Sequence, residues 1–234
     1  GKCGLPGTNN GERESMALTS LVPGLPAGEN PVTLSIPAYQ WVNAVDHGHT
    51  MTATNSGLVG GDELGTDIKF IWNYAGNCLT NQHGDINMTH EILVDESKCE
   101  FILVWDTVMT DSAKYADILL PDAMRSEQMN LQTQGYTEWY AGVVLGTPAQ
   151  EAPGECRSSY DVMADIADKF GVRDAFTEGR THDEWVKFLY EQGAEEDGSM
   201  PTWEEMLEQG VYKRPVEHYI AFEAFRNDPS ANPL

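Results

Sequence analysis

The chain has 234 residues, 41% of them hydrophobic, enough to bury a sizeable core in one large or two small domains. With 37 acidic against 14 basic residues the net charge is −23, a surface that repels phosphate backbones and anionic membranes and so excludes nucleic acid as an expected partner. No apolar run approaches the roughly 20 residues of a membrane-spanning helix, and no charged, hydrophobic, small-residue signal pattern is read in the chain's first residues.

Both ends are abrupt, Gly1-Lys2-Cys3-Gly4 and Asn232-Pro233-Leu234, and we expect a piece of a longer polypeptide. Cysteines stand at 3, 78, 99 and 156 with no C-x-x-C pair, a spacing that suits neither zinc nor an iron–sulfur cluster. Cys99 borders an apolar run and reads as a small core residue.

Residues 1–66 are rich in Gly, Pro, Asn, Ser and Thr and are predicted as an irregular segment packed on the sheet that follows. A short helix is expected over Ile36–Asp46, with Trp41 and Val45 facing inward. Gly4 to Gly11 is no dinucleotide fingerprint, because no strand precedes it. His47-Gly48-His49 reads as a glycine turn in preference to a metal pair.

Residues 67–170 carry an α/β pattern. A strand over 68–72 leads to a loop over 73–84, then a helix capped by Asp85. A strand over 100–105, a helical segment over 110–116 and a strand over 118–120 closed by Pro121 follow. A right-handed crossover makes the first two strands parallel. Val143-Val144-Leu145 is a weaker strand.

A helix over 157–170 turns Val162, Met163, Ile166, Ala167 and Phe170 to one face and stops at Gly171. Capping boxes at Thr181–Glu184 and Thr202–Glu205 open two more helices, the second ending at Gly210. Residues 171–234 are therefore expected to form a helical tail. The predicted class is α/β: a Rossmann-like parallel sheet flanked by helices, with an irregular amino-terminal segment.

Ligands of such sheets bind outside the carboxyl ends of the strands. That rule places Asn77 and Asp106 on one rim. Gly76 permits a sharp turn or close backbone approach to a ligand, and Asn77 offers donors and acceptors to a phosphate, ribose or base; an ordinary turn explains the pair as well. Asp106 can accept from a ribose diol or a guanine edge, or can cap the segment 107–116.

Several blocks resemble the molybdopterin oxidoreductases of the dimethyl sulfoxide reductase family. They are Trp72-Asn73-Tyr74-Ala75-Gly76-Asn77 followed by Asn81-Gln82-His83, and Ala116-Asp117-Ile118-Leu119-Leu120-Pro121 after a strand ending in Asp. Gly7-Thr8-Asn9-Asn10-Gly11-Glu12-Arg13-Glu14-Ser15, Phe176-Thr177-Glu178-Gly179-Arg180-Thr181, Ala224-Phe225-Arg226-Asn227-Asp228-Pro229 and Ala231-Asn232-Pro233-Leu234 resemble catalytic subunits of its bacterial membrane-associated branch.

The resemblance implies molybdenum held by two molybdopterin guanine dinucleotides, and oxygen-atom transfer from dimethyl sulfoxide or a related S- or N-oxide. It implies that Gly76 and Asn77 contact one dinucleotide, with Trp105 and Asp106 where an acidic residue meets a nucleotide end. Gln128 stands where some relatives place a lysine, and Asp161 at another cofactor-contacting acidic position.

The family's iron–sulfur segment, its molybdenum-ligating residue and its carboxy-terminal β-rich domain have no counterpart in these residues. No catalytic residue and no bound cofactor are therefore expected in this stretch alone. The implied partners are an iron–sulfur electron-transfer subunit and an integral membrane anchor subunit, at the periplasmic face of the bacterial cytoplasmic membrane. Outside the resemblance, the residues equally describe a stand-alone nucleotide-binding domain, or an acidic interaction module without redox chemistry.

Overall fold

The computed structural model describes residues 21–81, 84–133, 140–215 and 223–231. The block Gly7–Ser15, the pair Gln82-His83 and the closing Asn232-Pro233-Leu234 lie outside them. The chain divides into two units. The first holds Ala27–Ala123 and Pro153–Arg157; the second holds the stretch ending at Pro26, Met124–Ala152 and Ser158–Leu234.

The first unit is built on a three-stranded parallel sheet. Strand β1 (Phe70–Tyr74) pairs with β2 (Phe101–Asp106), which pairs with β3 (Ile118–Pro121), giving the order β1-β2-β3. The predicted parallel α/β class is the observed one. Register fixes the rim: Tyr74 lies opposite Trp105, and Asp106 opposite Pro121.

β1 starts two residues later than predicted because Ile68 N–H bonds Ala44 O (2.8 Å) in the preceding layer instead of joining the sheet. Asn73 and Tyr74 thereby belong to the strand, not to the loop.

Ile102 and Val104 project from β2 into a core shared with Leu79, Ile92, Leu93, Cys99 and Ala113, and with Val42 and Val45 of the helix Trp41–His47. That helix is preceded by a 3-10 turn, Ala38–Gln40, so the expected helix begins later than Ile36. Val45 faces inward as read, and Trp41 packs half-buried against the same core. Cys99 is buried. Asp85 caps the helix Ile86–Leu93 by accepting Met88 N–H at 3.1 Å.

β2 is buried on both sides, and its backbone needs partners at both edges. Asp117 meets part of that need. Its Oδ2 accepts Ile102 N–H at 2.7 Å, and its own N–H returns to Ile102 O at 2.9 Å.

The predicted helix at 110–116 is a single 3-10 turn, Ser112–Tyr115, opened by Asp111. Tyr115 Oη meets His90 Nδ1, which ties this turn to the helix Ile86–Leu93.

The second unit holds an antiparallel sheet. Strands β4 (Asn130–Thr133) and β6 (Val211–Pro215) flank β5 (Tyr140–Gly146). Only part of β5 is visible in the sequence. β4 and β6 are edge strands, and Val211 is 51% exposed, so neither shows an apolar run. The expected helical tail therefore contains a strand.

Ala141, Val143 and Leu145 meet Val186, Tyr190, Met200, Trp203, Met206, Leu21 and Val22 in this unit's core. Tyr190 donates to Pro201 O at 2.8 Å, and burial pushes its phenol up to about 12.

The helices His182–Glu196 and Trp203–Gln209 start at the predicted capping boxes, and Gly210 closes the second in a left-handed conformation. The helix Ser159–Lys169 is capped by Ser158, one residue after its predicted start, and Gly171 (φ 72°) ends it. Its buried residues are Ala164 and Ala167; Phe170, assigned to the inner face, is 78% exposed because it is the C-cap, where the helical face ends. Among the described residues, no helix is long and apolar enough to cross a membrane.

Two stability predictions follow from these contacts. Asp117→Ala leaves the buried Ile102 N–H unpaired and should cost about 1–3 kcal/mol in equilibrium denaturation. A Cβ at Gly193 would strike Leu21 O and press on Val22, whereas one at Gly198 meets nothing within 4 Å among the described residues. Gly193→Ala should therefore cost about 1–3 kcal/mol by overpacking and Gly198→Ala nearly nothing, read as the difference in unfolding midpoint.

Candidate functional site at the carboxyl ends of β1 and β2

The loop after β1 is shaped by its own side chains. Ala75 takes the left-handed turn conformation (φ 50°), and its N–H bonds Trp105 O at 2.8 Å, extending the β1–β2 ladder past the strand. Asn73, 3% exposed, bridges the turn: Nδ2 donates to Gly76 O (2.6 Å) and Oδ1 accepts Cys78 Sγ–H (2.7 Å). Burial pushes the Cys78 thiol up, so it remains a protonated donor.

Of the two roles open to Gly76, a sharp turn or close backbone approach to a ligand, the turn falls to Ala75, which carries the positive φ. Among the described residues, a Cβ at Gly76 would find Tyr74 O alone, at 3.8 Å. Neither conformation nor crowding among the described residues calls for glycine there.

Asn77, half-buried, ties this loop to the one after β2. Its Oδ1 accepts Ser112 N–H (3.0 Å) and Ser112 Oγ–H (2.7 Å). Thr80 N–H donates in turn to Ser112 Oγ at 3.2 Å, and Thr80 Oγ1 lies 3.1 Å from Asn77 Oδ1. Asn77 Nδ2 makes no hydrogen bond among the described residues.

Asp106 is half-buried at the end of β2. Its Oδ1 accepts Thr107 N–H at 2.7 Å, and its second oxygen has no partner among the described residues. Asp111, not Asp106, opens the 3-10 turn Ser112–Tyr115, so the capping alternative for Asp106 is not the observed arrangement.

Trp105 is 1% exposed. Its ring stacks on Trp72 (centroids 6.0 Å apart, 13° between planes) and meets the Tyr74 ring edge-on at 5.5 Å. Its Nε1 is a buried donor without a partner among the described residues. The structure thus brings Gly76, Asn77, Trp105 and Asp106 to adjacent strand ends.

Gln128 and Asp161 belong to the second unit. Gln128 is half-buried, and its backbone carbonyl accepts Asn130 Nδ2–H at 3.1 Å. Asp161 is exposed in the first turn of its helix. Its N–H donates to Ser158 Oγ (3.1 Å) and its Oδ2 accepts the Ser158 hydroxyl proton (2.9 Å), an arrangement that capping alone accounts for.

His47 and His49 face Asp46 and Asp67 separately, and among the described residues no cluster of three or more His, Cys, Asp or Glu side chains could hold a metal ion. Ser112, Thr80, Asn73 and Ala75 were not singled out from the sequence. Ser112 lies 35 residues from Asn77, and no local pattern signals that pairing.

Comparison with known proteins places the chain in a family. A model of the molybdopterin oxidoreductase family matches residues 4–169. The chain is 45% identical over its whole length to dimethyl sulfoxide reductase DmsA of Escherichia coli (strain K12) and 44% identical, also over its whole length, to the DmsA of Haemophilus influenzae; it spans 29% of each. Over 75% of its length it is 33% identical to the biotin sulfoxide reductase of Cereibacter sphaeroides, of which it covers 23%. The chain belongs to the molybdopterin oxidoreductase family.

Proposed function

We propose that this chain is part of a molybdenum-dependent oxidoreductase that reduces dimethyl sulfoxide or a related S- or N-oxide in anaerobic respiration, and that its β1–β2 rim helps bind one molybdopterin guanine dinucleotide. The observation that carries this reading is the Gly76 backbone, uncrowded among the described residues, beside an amide nitrogen of Asn77 and a carboxylate oxygen of Asp106 that have no partner among the described residues.

The donor set fits the group. A guanine dinucleotide presents phosphate and carbonyl oxygens to an amide donor. It presents ribose hydroxyls and guanine N–H groups to a carboxylate. The glycine admits the ligand close to the backbone. Bound molybdenum with its pterin dithiolenes supplies the oxygen-atom transfer; the residues described here bind and orient the nucleotide. Trp105 supports the rim from beneath through its packing on Trp72 and Tyr74. Gln128 and Asp161 enter this reading through the family resemblance.

In the same reading, electrons arrive from an iron–sulfur electron-transfer subunit. An integral membrane anchor subunit holds the assembly at the periplasmic face. An iron–sulfur cluster and the molybdenum ligand belong to polypeptide outside these residues.

The isolated chain should purify without molybdenum and without sulfoxide reductase activity; stoichiometric molybdenum in metal analysis would overturn this. In the full-length protein, Asp106→Ala removes a charged acceptor and should lower nucleotide affinity about 10- to 100-fold, seen as reduced molybdenum and guanine content at a nearly unchanged unfolding midpoint. Full cofactor content in that variant would count against the assigned role.

A further inference from the structure

We infer that Ser112 is a positioning residue that fixes the polarity of Asn77, so that the Asn77 side chain meets its ligand only as a hydrogen-bond donor. The inference deepens the nucleotide-binding reading and rests on it. Ser112 N–H can only donate, and it lies 3.0 Å from one terminal atom of the Asn77 amide. That atom must be the oxygen, because the flipped amide would set two N–H groups against each other.

The Ser112 hydroxyl reinforces the choice. It receives Thr80 N–H at 3.2 Å, which leaves its own proton free to point at Asn77 Oδ1, 2.7 Å away. Ser112 is fully buried, so water cannot replace the amide if it swings out. Its turn cannot yield easily either. Ala113 is in the core, and Tyr115 is tied to His90.

The consequence concerns ligand chemistry. With Oδ1 held by Ser112, Asn77 presents its two Nδ2 hydrogens outward. The group it recognises is an acceptor oxygen, on a phosphate or on guanine. Asp106, with its outward oxygen, recognises donors. The two rim side chains therefore read different atoms of one ligand. Ser112 touches no ligand and acts through Asn77.

The test uses full-length protein stripped of cofactor, titrated calorimetrically with GDP and with guanosine, in wild type, Asn77→Asp, Ser112→Ala and the double variant. Asn77→Asp keeps an oxygen for Ser112 but replaces the outward donor with an acceptor. It should weaken GDP binding by about tenfold or more, with an unfolding midpoint close to that of wild type. Ser112→Ala, which retains the backbone N–H, should weaken binding less. The double variant should bind GDP no worse than Asn77→Asp, because one residue works through the other.

Loss for GDP alone assigns Nδ2 to phosphate; equal loss for guanosine assigns it to an acceptor oxygen of the nucleoside. Either supports the inference. Unchanged GDP binding by Asn77→Asp, or losses that add in the double variant, overturns it while leaving the nucleotide reading intact. A wild-type protein that binds neither GDP nor guanosine overturns both.

Discussion

Strand β2 is the constraint on which the first unit depends. Its four central residues are buried, so both of its backbone edges must be hydrogen-bonded inside the protein. β1 occupies one edge and β3 the other, both parallel to it. Where β3 begins, the carboxylate of Asp117 closes the ladder on Ile102 N–H. Parallel pairing then has a geometric result. All three strands end on the same side, and the loops that leave them share one rim.

That rim is assembled by side chains reaching between loops. Asn73 braces the loop after β1 from within, and Asn77 ties it to Ser112 in the loop after β2. Of the two asparagines, Asn73 uses both ends of its amide on the protein, whereas among the described residues Asn77 uses its oxygen alone. Asp106 shows the same division, one oxygen bonded to Thr107 N–H and the other without a partner among the described residues.

The two faces of the first unit's sheet differ. One packs on helices through Ile102 and Val104. The other carries Phe70 and Trp72, 52% and 39% exposed, beside stacked Phe101 and Trp105. Parallel sheets are ordinarily covered on both faces. In the second unit Val186, Tyr190, Trp203 and Met206 share a core with Ala141, Val143 and Leu145 of β5, and Gly193 admits Leu21 and Val22 close to the helix His182–Glu196.

The amino-acid sequence by itself determined what depends on neighbours along the chain. Apolar runs marked β1, β2 and β3; Asp85, Thr181 and Thr202 marked helix starts; Gly171 and Gly210 marked stops. Each is a signal between residues at most a few positions apart. The sequence also placed Asn77 and Asp106 on a common rim, because that follows from strand polarity alone. Tertiary structure decided the rest. The edge strands β4 and β6 take their form from backbone pairing with β5, which leaves no apolar pattern to read. Ala75, rather than Gly76, makes the turn because Trp105 O holds its N–H. Which end of the Asn77 amide faces outward was settled by Ser112, a buried donor from a distant loop whose direction no local spacing encodes.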